Sequence, residues 1–236
     1  MSSSTVSGLH NFLKRYYYDT NKNDKNDITH TRISDKKSIT GGSYCIPLNK
    51  MSEFNELYYN HVFTKKNPEY LTEKQPDKRP IMIDFDFRYD KSITKRQHTK
   101  EHIMDIIELY LDELKTLVDF EVKEFPIYIL EKDSVNTKSD PNATKDGIHM
   151  IIGIILDTTM QLLLRDNVLK KIESIWDGLP LTNTWENVLD RGISAGHTNW
   201  QLIGSKKPKN EPYKVTNHFN IESVSYTHLT LPTTYT

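Results

Sequence analysis

A chain of 236 residues is long enough for one compact domain, or two closely packed lobes, around a substantial apolar core. Lysine and arginine (31) nearly balance aspartate and glutamate (32), which excludes a binder that attracts nucleic acid through net charge, so any basic surface has to be local. The single cysteine, Cys45, excludes an internal disulfide and a cysteine-rich zinc module and is assigned to packing in a reducing compartment; with no membrane-length apolar run and no secretory segment, an intracellular, soluble protein is expected.

Taken in chain order, Leu9, Phe12, Leu13 and Tyr16 form a short apolar segment within a partly flexible N-terminal stretch, 1–28, and the polar run Asn21–Asp27 reads as an exposed loop. Gly41-Gly42-Ser43-Tyr44 predicts a turn into a short strand, and Met51 to Phe63 an amphipathic helix. The charged stretch from Lys65 to Pro80 reads as a connection. Ile81 to Phe87 has the content of a buried strand, and Ile103, Ile106, Ile107, Tyr110, Leu111, Leu114 and Val118 recur at the spacing of a helix that covers a sheet. Pro126–Leu130 and Ile148–Leu156 read as strands separated by a polar loop, 133–146. Thr158 and Gln161 predict a capping box for a helix to about Trp176, and segments near Val188 and from Asn199 to Ile203 read as strands. The fold class is therefore α+β, a mixed α/β pattern. Residues 224–236 resemble translated adapter sequence, and on that reading the natural protein is expected to have been cut at about Ser223.

Three motifs carry chemistry. In Ile83-Asp84-Phe85-Asp86-Phe87 the two carboxylates share one strand face, and their repulsion is relieved by a hard divalent cation, Mg²⁺ or Mn²⁺. The same spacing also suits a strand end whose acids meet solvent or Arg88. In Lys145-Asp146-Gly147-Ile148-His149-Met150 an imidazole enters an apolar strand, either to meet a nucleotide phosphate beside Lys145 or to pair with a carbonyl in the core. In the third, Leu189-Asp190-Arg191-Gly192 precedes Asn199-Trp200-Gln201-Leu202-Ile203-Gly204-Ser205-Lys206-Lys207, where Asp190 offers a third carboxylate and the Gly-Ser-Lys-Lys turn offers amides and ammonium groups to a triphosphate, or is a solvated basic turn.

In order and spacing these motifs resemble the archaeo-eukaryotic primase superfamily, and most of all the primase region of helicase-primases of nucleocytoplasmic large DNA viruses, over about 29–221. The resemblance implies a primase catalytic domain at 29–223, with an N-terminal α/β module packed on an RRM-like module and the active site in the cleft between them. It implies that Asp84, Asp86 and Asp190 hold two Mg²⁺ or Mn²⁺ ions, and that Lys145, Gly147, His149, Gln201, Ser205, Lys206 and Lys207 bind the nucleoside triphosphate. Gln201 stands where many relatives carry Arg, which shifts triphosphate binding toward Lys206 and Lys207, and Gly147 stands where many carry Ser. The implied activity is primer synthesis on a single-stranded DNA template. Arg32, Lys36, Lys37, Lys132 and Lys138 are the candidate template contacts. A superfamily 3 helicase domain is expected downstream, and a host cytoplasmic viral factory or nucleus as the location.

Other classes use parts of the same pattern. A metal-dependent sugar transferase uses a D-x-D pair but leaves His149 and Asp190 without a role; a nuclease needs clustered carboxylates but no triphosphate pocket. A catalytically silent single-strand or origin-binding module is the non-enzymatic reading.

Overall fold

The computed structural model describes residues 8–35, 37–118 and 124–222. Lys36 and the adapter-like tail, 224–236, lie outside the described residues. The elements in chain order are α1 (Gly8–Arg15), β1 (His30–Arg32), β2 (Gly42–Tyr44), α2 (Met51–Tyr59), β3 (Leu71–Glu73), β4 (Arg79–Asp90), α3 (Lys100–Leu117), β5 (Glu124–Glu131), β6 (Ala143–Leu156), α4 (Thr158–Leu169), α5 (Ile172–Ile175), α6 (Trp185–Val188), α7 (Arg191–Ser194), β7 (Trp200–Gln201) and β8 (Lys214–Glu222). They divide into two compact units, Met1–Gln75 with Asn199–Tyr213 and Pro76–Thr198 with Lys214–Thr236. The mixed α/β class expected from the sequence is the class observed.

In the first unit, short antiparallel strands form a sheet of order β2-β1-β3-β7. Leu9, Phe12 and Leu13 from α1 are buried against Phe54 and Tyr58 from α2, with Tyr44, Ile46 and Leu71. The helix expected from Met51 to Phe63 changes at Asn60 into a π-helical turn, Asn60–Thr64. Strands β1 and β3, each three residues long, lie in segments that give no alternation to detect; β3 falls inside the expected connection 65–80. Cys45 is half-buried between the buried Tyr44 and Ile46.

The second unit is built on a long antiparallel sheet of order β4-β6-β5-β8. From Ile83 to Asp90 the alternation along β4 is strict: Ile83, Phe85, Phe87 and Tyr89 are buried, while Asp84, Asp86, Arg88 and Asp90 are not. Ile148, Met150, Ile152 and Ile154 of β6 and Ile127 and Ile129 of β5 face the same core. The predicted stripe of α3 covers that face, with Ile106, Ile107 and Leu114 fully buried; Thr99 caps the helix through a box with His102. Trp176 sets its ring edge-to-face against Phe85 and Phe87 and donates its indole N–H to the His102 carbonyl at 3.0 Å.

Three local expectations are corrected. The α4 cap is Asp157, whose carboxylate accepts from the Met160 amide at 2.9 Å; Gln161 instead turns its amide onto the carbonyls of Arg79, Pro80 and Leu156. The helix expected to reach Trp176 ends at Leu169 and resumes as α5. The segment at Val188 is a single helical turn, and only at Leu189 does the backbone pair with β4, opposite Phe85. Among the described residues no helix is long and apolar enough to cross a membrane.

Candidate active site

Strand periodicity places Asp84 and Asp86 on the face of β4 opposite its apolar side chains. Antiparallel register then sets the partners on β6: His149 lies opposite Asp84, Gly147 opposite Asp86 and Lys145 opposite Arg88. His149 Nε2 is 3.4 Å from Asp84 Oδ1; both side chains are largely buried, whereas Asp86 is exposed. The Lys145 ammonium pairs with Asp140 at 3.1 Å, and its backbone exchanges two hydrogen bonds with Asn136. That carboxylate is held below its ordinary range by the Asn142 amide and by Lys145. Lys91 donates to the Thr137 and Asp140 carbonyls, which closes the loop that presents Asp140 to Lys145.

The third carboxylate arrives along the free edge of β4. Residues 181–190 run beside that strand: Leu181 bridges Tyr89, the Asn183 amide donates to the Asp86 carbonyl at 2.9 Å, and its oxygen accepts from the Arg88 amide at 3.0 Å. The Asp190 amide then donates to the Asp84 carbonyl at 3.0 Å. Asp190 caps α7, its Oδ1 accepting from the Gly192 amide at 2.7 Å, which engages one of its two carboxylate oxygens. Buried Arg79 fixes the far end, donating to the Ile193 and Ser194 carbonyls as well as to Pro76, Asp77 and Thr158. Asp84 and Asp86 thus share one strand face and the Asp190 backbone is bonded to that strand, three oxygen-donor side chains of the type that Mg²⁺ or Mn²⁺ takes, although among the described residues only His10, His61 and Glu69 bring three ligand atoms within 4.8 Å of one another.

Beneath this face, on the core side, lies a charged cluster that the sequence reading missed. Arg96 holds Asp146 through two nitrogens at 2.9 and 3.1 Å and Glu131 through a third at 2.9 Å; His98 meets Glu131 at 2.8 Å. Burial pushes the Glu131 carboxyl up, but hydrogen bonds from His98 and Thr216 and the Arg96 charge outweigh it and leave it below its ordinary range. The cluster ties Asp146, on β6 between Lys145 and Gly147, to β5 and to the loop before α3. Its members lie far apart in sequence, so no local pattern announces it.

The four remaining sequence candidates belong to the first unit. Gln201 donates its side-chain amide to the Ser205 carbonyl. Ser205 is fully buried, its hydroxyl paired with Tyr58 at 2.9 Å and accepting from the Leu71 amide at 3.1 Å. Lys206 is half-buried and Lys207 exposed, in a turn made possible by Gly204 at φ +83°, where a Cβ would lie 2.7 Å from Val62. Among the candidate template contacts, Arg32 is committed to an ion pair with Glu69 at 2.8 Å.

That pair belongs to another cluster missed at the sequence level. His10, His61 and Glu69 each bring one ligand atom within 4.8 Å of the others. Arg32 also reaches His10 Nε2 at 3.0 Å, so a guanidinium already supplies the positive charge that a cation would bring. Burial pushes the Glu69 carboxyl up, but the hydrogen bond from His10 and the Arg32 charge outweigh it and hold it below its ordinary range.

Comparison with known proteins bears on both units. Residues 29–219 match the family described as the C962R protein N-terminal AEP domain, AEP denoting archaeo-eukaryotic primase. The chain is also 31% identical over 215 residues to the L207/L206 protein of Acanthamoeba polyphaga mimivirus, which is named as a helicase. That alignment covers 89% of this chain and 22% of the mimivirus protein, so the chain spans about a fifth of that relative's length.

Proposed function

Because this chain belongs to the family of C962R-type N-terminal archaeo-eukaryotic primase domains, we propose that it synthesises primers on single-stranded DNA by metal-dependent nucleotidyl transfer, as the primase part of a viral helicase-primase. The observation that supports this reading is that Asp84 and Asp86 share one face of β4 while the Asp190 amide bonds to the Asp84 carbonyl.

In this reading Asp84, Asp86 and Asp190 hold two divalent ions, which supply charge neutralisation for the attack of a 3′-hydroxyl on an α-phosphate with loss of pyrophosphate. His149, opposite Asp84, orients that carboxylate and donates to a phosphate of the incoming nucleoside triphosphate. Lys145 adds charge on the same face, and the side-chain-free Gly147 opposite Asp86 leaves room for the ligand. By the primase resemblance Lys206 and Lys207 are the candidates of the first unit for ammonium charge toward a triphosphate, on a turn that Gln201 and Ser205 shape. Base pairing selects the nucleotide, so the protein grips the template without reading its sequence. The helicase name of the mimivirus relative, of which this chain matches only 22%, supports a helicase as the partner domain; that it belongs to superfamily 3 and works in viral DNA replication, in the host cytoplasm or nucleus, is what the primase resemblance implies.

The test incubates the chain and its Asp84→Asn variant with single-stranded template, labelled nucleotides and Mg²⁺ or Mn²⁺, and resolves products by length. Metal-dependent oligonucleotides lost in the variant are expected. Folded, template-binding protein that makes no product would overturn the reading in favour of a silent binding module.

A further inference from the structure

The sheet face that carries Asp84, Asp86 and His149 continues beyond them. One row of cross-strand neighbours on this face is Asp84, His149 and Leu130; the next is Met82, Ile151, Tyr128 and His218, which crosses all four strands. The two rows are two residues apart, about 7 Å along the strands. At the end of the second row the rings of Tyr128 and His218 stack, with centroids 4.6 Å apart and planes 6° from parallel. The opposite face of the sheet is sealed in the apolar core. This one is open only toward β8: Met82 and Leu130 on it are buried, whereas His218 is exposed, Tyr128 and Ile151 are half-buried, and Ile155 and Val215 on the same sheet are 65% and 45% exposed.

Cross-strand pairing accounts for contact between the two rings. It does not account for Tyr128 and His218 remaining accessible on the sheet face that also carries Asp84 and Asp86. The second row carries no carboxylate, so it accepts the flat face of a base without repelling a polyanion, while Arg88 lies exposed on the same face beyond Asp86. Among the described residues β8 is the edge of the sheet, and the stack ends there on the exposed ring of His218. Two strand spacings and two residues separate Tyr128 from Asp84, about 12 Å in all, a distance bridged by a short run of single strand.

We propose that Tyr128 and His218 form a stacking subsite for a base of the single-stranded DNA held on this face. The proposal rests on the nucleotidyl-transfer reading for its location, but binding can be measured without catalysis. Stacking is indifferent to base identity, as required of a template-copying protein.

The experiment measures fluorescence anisotropy of a labelled single-stranded oligonucleotide and of an abasic strand of equal length. It uses the full chain and its Tyr128→Ala, Tyr128→Phe and His218→Ala variants. Tyr128→Ala is expected to weaken oligonucleotide binding roughly tenfold, His218→Ala to weaken it less, and Tyr128→Phe to leave it intact. The abasic strand should bind every variant alike. Binding by Tyr128→Ala and His218→Ala within about twofold of the parent, or equal losses on the abasic strand, would overturn the subsite and leave the pair as a clamp on β8. Nucleotide incorporation is assayed alongside. A parent chain that incorporates nucleotides without any Tyr128 dependence of binding sinks the subsite alone. One that binds through Tyr128 yet incorporates nothing supports the subsite and sinks the nucleotidyl-transfer reading alone.

Discussion

His149 and Asp84 face each other across the β4–β6 ladder, with Nε2 3.4 Å from Oδ1, although they come from different motifs of the sequence. In the proposed function that imidazole acts either on the carboxylate or on a phosphate brought to it. His149→Ala is expected to weaken nucleoside triphosphate binding by about tenfold while leaving single-strand binding within about twofold. Nucleotide titrations with and without Mg²⁺ separate the roles. A loss that persists in chelator marks direct phosphate contact, and a loss seen only with metal marks action through Asp84. Equal losses of nucleotide and single-strand binding would count against both.

Gly192 controls the third carboxylate. A Cβ there would lie 2.4 Å from Thr198 Oγ1 and 3.1 Å from Asp190 Oδ1. Gly192→Ala is therefore expected to displace the Asp190 carboxylate and lower metal-dependent incorporation by at least about tenfold, or about 1.4 kcal/mol in the barrier. Adding Thr198→Ala removes the closest clash and should restore part of the rate. An unimpaired single variant would dissociate Asp190 from the reaction.

Arg96 neutralises two buried carboxylates at once. Arg96→Met removes the guanidinium shared by Asp146 and Glu131 and leaves His98 between them, which is expected to cost about 3–5 kcal/mol in urea unfolding. A loss under about 1 kcal/mol would show that the cluster is solvated rather than structural.

His30 gives the first unit an acid-sensitive element. Burial pushes its imidazole down from 6.5 to about 4, and its ring packs on Phe54 with centroids 4.6 Å apart. The folded state thus binds this proton more weakly than the unfolded chain. The contribution is complete above about pH 6.5 and is lost as the pH falls toward about 4, by up to about 3 kcal/mol. Urea unfolding across that window should show stability falling with pH, and His30→Leu should flatten the fall without abolishing it, because burial also lowers His61. An unchanged slope in the variant would remove His30 as a cause.

Much of the second unit was legible because its signals are local. Alternation in 83–87 shows which side of β4 carries Asp84 and Asp86, and the 3.6-residue recurrence in 99–118 shows the buried face of α3. The first unit was harder to read, since β1, β3 and β7 are two or three residues long and a strand that short has no period. At Val188 apolar content suggested a strand, yet the chain makes one helical turn before it reaches β4.

What the sequence determined by itself is the set of chemical groups and the face on which each stands within its own element, because side-chain direction follows from backbone period. Which groups meet was decided only by tertiary structure. His149 faces Asp84 because of the β4–β6 register, Asp190 reaches Asp84 because residues 181–190 pair along the edge of β4, and Arg96 gathers Asp146 and Glu131 because the β5–β6 register sets their strands side by side. Register and edge pairing are chosen by burial of the whole core, a sum over residues far apart in the chain, and no local window of sequence contains that sum.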